Sequence, residues 1–445
     1  MGHPLAPHQK RARDFFDSRM SGMLIYEAGC GKTICALAWI HSALVRGIIS
    51  NALILCPAML VPRWWQEVEK LTDFEDYTDF DVDLLKSAVT IWSLSSTWEA
   101  EKKVIRHRDG TESVKRTVHL RKALKRPYDV VFVDESHRLG SPSTNVTKAC
   151  MELARAIPRR FVMTGTPDLG QYTKLYGQVQ FVHPGMWHSF KEFKARYVTQ
   201  YDYFNNPKTY DVEACEALKR RLGIVARLSE CFDMPTKIDT VIPCPIASKK
   251  AYKDLLDGKV SAYGLTVTAT GVLPLKTFQL VSGHVKGDTE VHRVKTTKTD
   301  VLTDLLDGYD GKVVIVCKFR ESVRIVSELL DRLGMKHHIF DGDTALPTWG
   351  LFQCDDSKAI IVQYQKAIGI DLFAACVMIL YEPTFSALEL EQTRRRIWRK
   401  GQDRPCRYYY LSTPDTLEER SWQSVRDGVD VSSELLEEWA KESNI

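Results

Sequence analysis

Residues 29–33 read Gly-Cys-Gly-Lys-Thr, after the apolar run "GMLI" and before the helical pattern "TICALAWIHSALV". A strand, a glycine-rich turn and a helix start present backbone N–H groups and a positive dipole end to an anion. In that arrangement Gly29, Cys30 and Gly31 cradle the phosphates of ATP, Lys32 reaches the β- and γ-phosphates, and Thr33 offers its hydroxyl to Mg²⁺. The longer G-x-x-x-x-G-K-[ST] spacing would need glycine where Tyr26 stands, so the short run alone is also compatible with a glycine-rich helix start that binds nothing.

A second pattern, "VVFVDESH" at 130–137, sets two carboxylates directly after an apolar strand. There the adjacent parallel strand of a phosphate-loop fold delivers its acid. Asp134 suits Mg²⁺ through water, and Glu135 is placed to orient or deprotonate an attacking water. A third, "QTRRRIWRKGQ" at 392–402, carries five cations: Arg394, Arg395, Arg396, Arg399 and Lys400. Its composition fits a nucleic-acid patch, a solvated helix face or part of a catalytic site.

The elements that must position these residues are legible as short apolar runs bounded by turn residues. "GMLIYEAG", "NALILCPA", "SAVTIWSLS", "YDVVFVDES" and "RRFVMTGTP" precede residue 168, and "KVVIVCKF", "KHHIF", "KAIIVQY", "ACVMILYEP" and "CRYYYLS" follow residue 311. Runs of this kind suit central strands of parallel sheets covered on both faces. The expected fold is α/β, with two tandem units, 1–235 and 236–445, joined by a mainly helical connection. Residues 101–126 hold ten Lys or Arg. Apolar–polar alternation around Asp109-Gly110 predicts a basic β-hairpin insert with a type I′ turn. Arg106, Arg108, Lys115 and Arg116 on it either lie on a nucleic-acid backbone or decorate a solvated flap.

A chain of 445 residues is long enough for two or three domains at about 100–200 residues each. With 61 Lys+Arg against 57 Asp+Glu, overall charge does not argue for nucleic acid, so that case rests on local clusters. Eleven cysteines without a C-x-x-C pair read as reduced thiols and not as a zinc site. The longest apolar runs reach about half of the roughly 20 residues that span a bilayer, so no membrane segment is expected.

Taken in order, the motifs resemble helicase superfamily two and, within it, the Swi/Snf class of DNA-translocating ATPases. "PLAPHQKRARDFF" is similar to the adenine-reading motif, with Gln9 in the base-reading place, and "EAGCGKT" is similar to the family's "DEMGLGKT". "LILCPAMLVPRWWQEVEK", "DESHRLGSPSTNVTKA" and "FVMTGTPDLG" resemble the next three motifs, the last supplying Thr164, Gly165 and Thr166 as coupling residues. "FVHPGMWHSFKEFKARY", "LGIVARLSECFDMPTKI", the opening of the second half at 312–344 and "TLEERSW" extend the resemblance over about 5–422. The resemblance implies two RecA-like domains, ATP and Mg²⁺ as cofactors, and DNA, duplex, forked or branched, or single-stranded nucleic acid, as partner. In "QTRRRIWRKGQ" it places Gln392 at the nucleotide and makes Arg396 and Arg399, three apart on one helix face, arginine fingers.

The fifth motif departs from the family's glycine-rich run: "QKAIGIDL" keeps Gly369 and Leu372, with Asp371 for asparagine and Lys366 free to touch a phosphate instead. The stretch between "FDGDT" and "LFQCDD" is short, which should trim a helix. Two other readings stay open: an RNA-directed motor, and a nucleotide-gated DNA clamp without coupled hydrolysis. The motif set without appended modules points to a stand-alone motor in a prokaryotic or phage-infected cytoplasm.

Overall fold

A computed structural model describes residues 5–70, 81–106, 112–168, 170–201, 205–257, 273–287, 290–341, 348–367 and 370–442. The chain divides into two compact units, 1–233 and 234–445.

The first unit is built on a six-stranded sheet. Its strands are β1 (Ser21–Tyr26), β2 (Ala52–Cys56), β3 (Val89–Ser93), β6 (Val130–Asp134), β7 (Arg159–Met163) and β10 (Gly223–Ala226), in the order β10-β1-β7-β6-β2-β3. Every pairing is parallel. All five residues of β2 and of β6 are buried, as expected of strands with helices on both faces. On one face, α1 (Pro7–Ser18) and α2 (Lys32–Val45) bring Phe16 and Trp39 against Phe132 and Phe161, with ring centroids 4.8 to 6.0 Å apart. Cutting any one of these rings back to alanine would cost about 3–5 kcal/mol. Helices Asn145–Ala156 and Leu175–Val182 cover the other face.

Two features of this sheet differ from the reading above. The acid-bearing β6 does not adjoin the loop-bearing β1, because β7 lies between them. The segment "LGIVARLSECFDMPTKI", not among the apolar runs read as strands, supplies β10, which pairs with β1 from Met23↔Gly223 to Tyr26↔Ala226.

The basic insert is a hairpin of β4 (Trp98–Arg106) and β5 (Glu112–Leu120), paired antiparallel from Trp98↔Leu120 to Arg106↔Glu112. Arg108 and the Asp109-Gly110 turn lie outside the described residues. A shorter hairpin, β8 (Val198–Tyr201) with β9 (Pro207–Tyr210), follows later.

The second unit repeats the plan. Strands β11 (Lys237–Pro243), β14 (Val313–Cys317), β15 (His337–Phe340), β16 (Ala359–Gln363), β17 (Val377–Leu380) and β18 (Cys406–Ser412) form a parallel sheet ordered β11-β18-β17-β14-β16-β15, while β12 (His284–Lys286) and β13 (Val291–Arg293) make a small hairpin. The expected helical connection therefore also contributes an edge strand to each sheet, β10 and β11, with only the four-residue helix Leu228–Cys231 between them. Among the described residues no helix is long and apolar enough to cross a membrane.

Candidate functional site

At the carboxyl end of β1 the chain passes through 27–31 and starts α2 at Lys32. Gly29 and Gly31 take positive φ, 94° and 77°, a region other residues enter only under strain. Gly31 is also the N-cap of α2, so the orphan N–H groups of the first helical turn face the loop. A Cβ on Gly31 would fall 2.5 Å from Gln9 Nε2, which shows how closely Gln9 approaches. Gln9 is held there by its own helix, its Oε1 accepting from Ala6 N at 2.9 Å. Next to it, a His8 ring nitrogen lies 3.0 Å from the Cys30 carbonyl oxygen, and the Tyr26 hydroxyl donates to the His8 carbonyl at 2.6 Å. The start of α1 is thus bonded to both ends of the loop.

Lys32 Nζ donates to the Tyr26 carbonyl at 3.0 Å, folding across the loop it would serve, and Thr33 sits half-buried in the first turn of α2. Cys30 is buried, and desolvation pushes its thiol up to about 12.

Asp134 ends β6 with 5% of its surface exposed. Burial, reinforced by Glu135 beside it and opposed by Lys32, pushes its carboxyl up to about 6. Its Oδ1 accepts from Glu135 N at 3.0 Å and its Oδ2 from Trp64 Nε1 at 3.2 Å. Glu135 has φ +49°, one of three non-glycine residues in that region among those described. Such conformations persist where surrounding structure enforces them, and they collect at functional sites. The Glu135 carboxylate lies 3.4 Å from His137 Nδ1, which is also 3.2 Å from Thr164 Oγ1. Thr164 Oγ1 in turn accepts from Thr166 N at 3.2 Å. Gly165 packs on the loop backbone, where an added Cβ would come within 3.0 Å of the Tyr26 carbonyl oxygen. Because β7 separates β1 from β6, its Thr164-Gly165-Thr166 turn sits between the loop and the acids.

The structure therefore gathers Gln9, Gly29, Cys30, Gly31, Lys32, Thr33, Asp134, Glu135 and Thr164–Thr166 at one edge of the first sheet. Three participants, His8, Trp64 and His137, were not singled out in the sequence. The signal for Trp64 was its spacing from Val68, which puts both on the buried face of α3 (Val61–Lys70). For Mg²⁺, the residues present fit. Asp134 is a buried carboxylate with neutral donors and, among the described residues, no salt bridge, and Thr33 is the second residue of α2, directly after the loop. Among the described residues no group of three or more His, Cys, Asp or Glu could hold a metal. A hard cation that keeps several waters does not need one.

In the second unit the basic segment is not one helix. Helix Ala387–Arg394 stops at Arg394, and 395–400 continue in turns. Ile397 and Trp398 turn inward, and Gly401 takes φ 97°. Gln402 Nε2 donates to the carbonyls of Phe373 and Ala375 at 2.9 and 2.8 Å. Arg396 and Arg399 still converge, by turn geometry instead of helical spacing: their Nη1 atoms lie 3.3 and 3.5 Å from the Ile370 carbonyl. Arg396 Nε donates to the Gln392 carbonyl at 2.9 Å, and Arg399 forms an ion pair with Asp371. The altered fifth motif is thereby bonded to the arginine pair. Gly369 lies outside the described residues, and Lys366 closes a half-buried 3₁₀ turn.

Arg394 and Arg395 are both tied to carboxylates of their own unit. Arg394 Nη2 meets both Asp239 oxygens at 2.8 Å, and Arg395 Nε lies 3.1 Å from Glu391.

The description "SNF2-related domain" fits residues 8–265, more than half of the chain. Human "DNA repair and recombination protein RAD54B" is 24% identical, covering 94% of this chain and 53% of the human protein. "DNA repair and recombination protein RDH54" of Saccharomyces cerevisiae (strain ATCC 204508 / S288c) is 22% identical, covering 92% of this chain and 48% of the yeast one. The chain spans about half the length of the curated relatives it matches. Among solved structures, "Sulfolobus solfataricus SWI2/SNF2 ATPase core in complex with dsDNA" is similar at 20% identity and a TM-score of 0.42, covering 98% of this chain and 93% of that one. On the family match over 8–265, the chain belongs to the SNF2-related family, the Swi/Snf class of helicase superfamily two.

Proposed function

We propose that the chain hydrolyses ATP with Mg²⁺ to drive movement along DNA. The observation that carries this reading is the convergence of phosphate loop, acidic pair and Thr164-Gly165-Thr166 turn at one sheet edge, with His137 touching both Glu135 and Thr164. Residues 1–235 serve as the ATP-binding lobe and 236–445 as its partner.

The first-turn amides of α2 and the loop bind the β- and γ-phosphates, and Lys32 leaves the Tyr26 carbonyl to reach them. Thr33 and Asp134 would hold Mg²⁺, which when bound would supply positive charge against the negative charge that develops on the phosphates. Glu135 orients and deprotonates the attacking water, and Gln9 with Gln392 reads the nucleotide. Arg396 and Arg399 act as arginine fingers once the second lobe closes on the nucleotide. Hydrolysis is signalled to DNA through His137, Thr164, Gly165, Thr166, Gly369 and Asp371.

DNA is favoured as the partner by the family and by the repair and recombination names of RAD54B and RDH54. Duplex, forked and branched forms are the proposed substrates. Arg106, Arg108, Lys115, Arg116 and Lys366 are proposed phosphate contacts, and separation of strands is the finer reading. In the hairpin, Lys103 stands opposite Lys115 and Lys102 opposite Arg116.

The test is ATPase measured with duplex DNA, single-stranded DNA and RNA, with Glu135→Gln as control, followed by strand displacement on forked and three-way substrates. Stimulation by DNA over RNA is expected. Absent turnover in the wild type overturns the reading, and turnover without displacement leaves a translocase.

A further inference from the structure

Trp64 is 2% exposed, and its indole does more than fill space. An indole N–H only donates, and a buried one needs an acceptor. Here that acceptor is Asp134 Oδ2, at 3.2 Å. The topology explains how they meet. Strands β2 and β6 are neighbours, Leu55 opposite Val133, and end at the same edge. After β2 a 3₁₀ turn, Ala58–Leu60, leads into α3, whose buried positions are Trp64 and Val68. One turn into that helix, the indole reaches the end of β6.

Asp134 therefore has one donor on each oxygen: Trp64 Nε1 on Oδ2 and Glu135 N on Oδ1. Two donors on different oxygens restrain rotation of the carboxylate, and each oxygen keeps a second lone pair. Both donors are neutral. A lysine or arginine in Trp64's place would orient the carboxylate equally well but would compete with a divalent cation for its charge. An uncharged donor on a wide ring that shuts out water orients the ligand and leaves its charge available.

We infer that Trp64 is a positioning residue for the divalent cation: its N–H fixes Asp134 so that the remaining lone pairs face nucleotide-bound Mg²⁺. The inference rests on the nucleotide-site reading above. Loss of a partner that orients a metal ligand typically weakens metal affinity by about 10–100-fold.

The test titrates Mg²⁺ into the full chain with a fluorescent ATP analogue, with Mn²⁺ followed by electron paramagnetic resonance as the direct readout. Trp64→Phe keeps the ring and removes the N–H. It is expected to need at least about tenfold more cation for half-maximal binding while Mg²⁺-free nucleotide affinity holds, and Trp64→His, which restores a ring N–H, should recover part of the loss. The half-buried neighbour gives the control, Trp65→Phe, expected to match wild type. A Trp64→Phe protein within about twofold of wild type, or an equal shift in Trp65→Phe, overturns the inference. Should Trp64→Phe not fold, the Trp64 indole N–H resonance of the unaltered protein decides: it should move when Mg²⁺ joins bound nucleotide, and a resonance that stays put overturns the inference. Wild-type nucleotide binding that ignores Mg²⁺ would instead remove the nucleotide-site reading itself.

Discussion

His137 Nδ1 lies 3.2 Å from Thr164 Oγ1 and 3.4 Å from a Glu135 carboxylate oxygen, so one imidazole touches both the acidic pair and the turn after β7. Burial lowers the His137 pKa below its usual value, which keeps the ring neutral at neutral pH, with one N–H to give and one nitrogen to accept. Removing it should disconnect the two elements while the phosphate loop stays intact. His137→Ala is expected to lower the ratio of DNA-stimulated to unstimulated ATPase by about tenfold, the scale of one lost hydrogen bond. Steady-state ATPase with and without duplex DNA checks this.

The basic segment divides into residues with opposite expectations. Arg396→Ala should slow single-turnover hydrolysis by about 10³–10⁵ and leave fluorescent-nucleotide affinity unchanged. Loss of DNA affinity alone would return the segment to a basic patch. Arg394→Ala breaks the paired contacts to Asp239 in β11, so it should lower the melting temperature and leave the salt slope of equilibrium DNA affinity, which counts phosphate contacts, unchanged.

His284 supplies a pH dependence. It is 2% exposed, beside Phe319, and burial, aided by Arg293 and Lys276 and opposed by Glu321, brings its pKa down to about 4. The folded state thus disfavours the charged ring. Stability is unaffected above the unfolded pKa of about 6.5 and is lost progressively as pH falls from there towards 4. The loss reaches about 3 kcal/mol at its limit. Urea unfolding at about pH 7.5 and 5 should show a larger fall for wild type than for His284→Phe.

Cysteine chemistry separates positions that composition cannot. Cys30 is fully buried and its thiol is pushed up to about 12, whereas Cys354 is exposed. Alkylation follows thiolate fraction and access. Peptide mapping after brief maleimide treatment near neutral pH should find Cys354 labelled and Cys30 intact, with ATPase retained.

What the sequence made legible follows from how locally each feature is encoded. Val130–Asp134 was readable as a strand because its first four residues, buried on both faces, form an unbroken apolar run. The edge strands β10 and β11 were not, since Lys237–Pro243 alternates exposed and half-buried residues and Gly223–Ala226 buries only its last residue. The loop glycines, Lys32 and the acidic pair could be singled out as candidates because phosphate chemistry fixes residue type and spacing within a few positions. The place of β7 between β1 and β6 was not, because chain order does not state spatial order. Nor was the fate of Arg394, whose partner Asp239 is 155 residues away. The end of the helix at Arg394 was missed because the inward turn of Trp398 depends on an acceptor, Pro235 O at 2.6 Å, that lies far off in sequence.

The pairing of Arg394 with Asp239, Arg395 with Glu391 and Arg399 with Asp371 has a consequence for approach from a distance. A cation matched by a carboxylate a few ångströms away is a dipole beyond about 10 Å, roughly the Debye length at 0.1 M salt. Three of the five cations in this run are matched in this way, so the far field it offers a polyanion is smaller than the number of positive residues suggests. Replacing both members of one such pair, Arg394 and Asp239, by neutral residues should therefore leave the ionic-strength dependence of the association rate almost unchanged, whereas replacing Arg394 alone uncovers a carboxylate and should slow association at low salt.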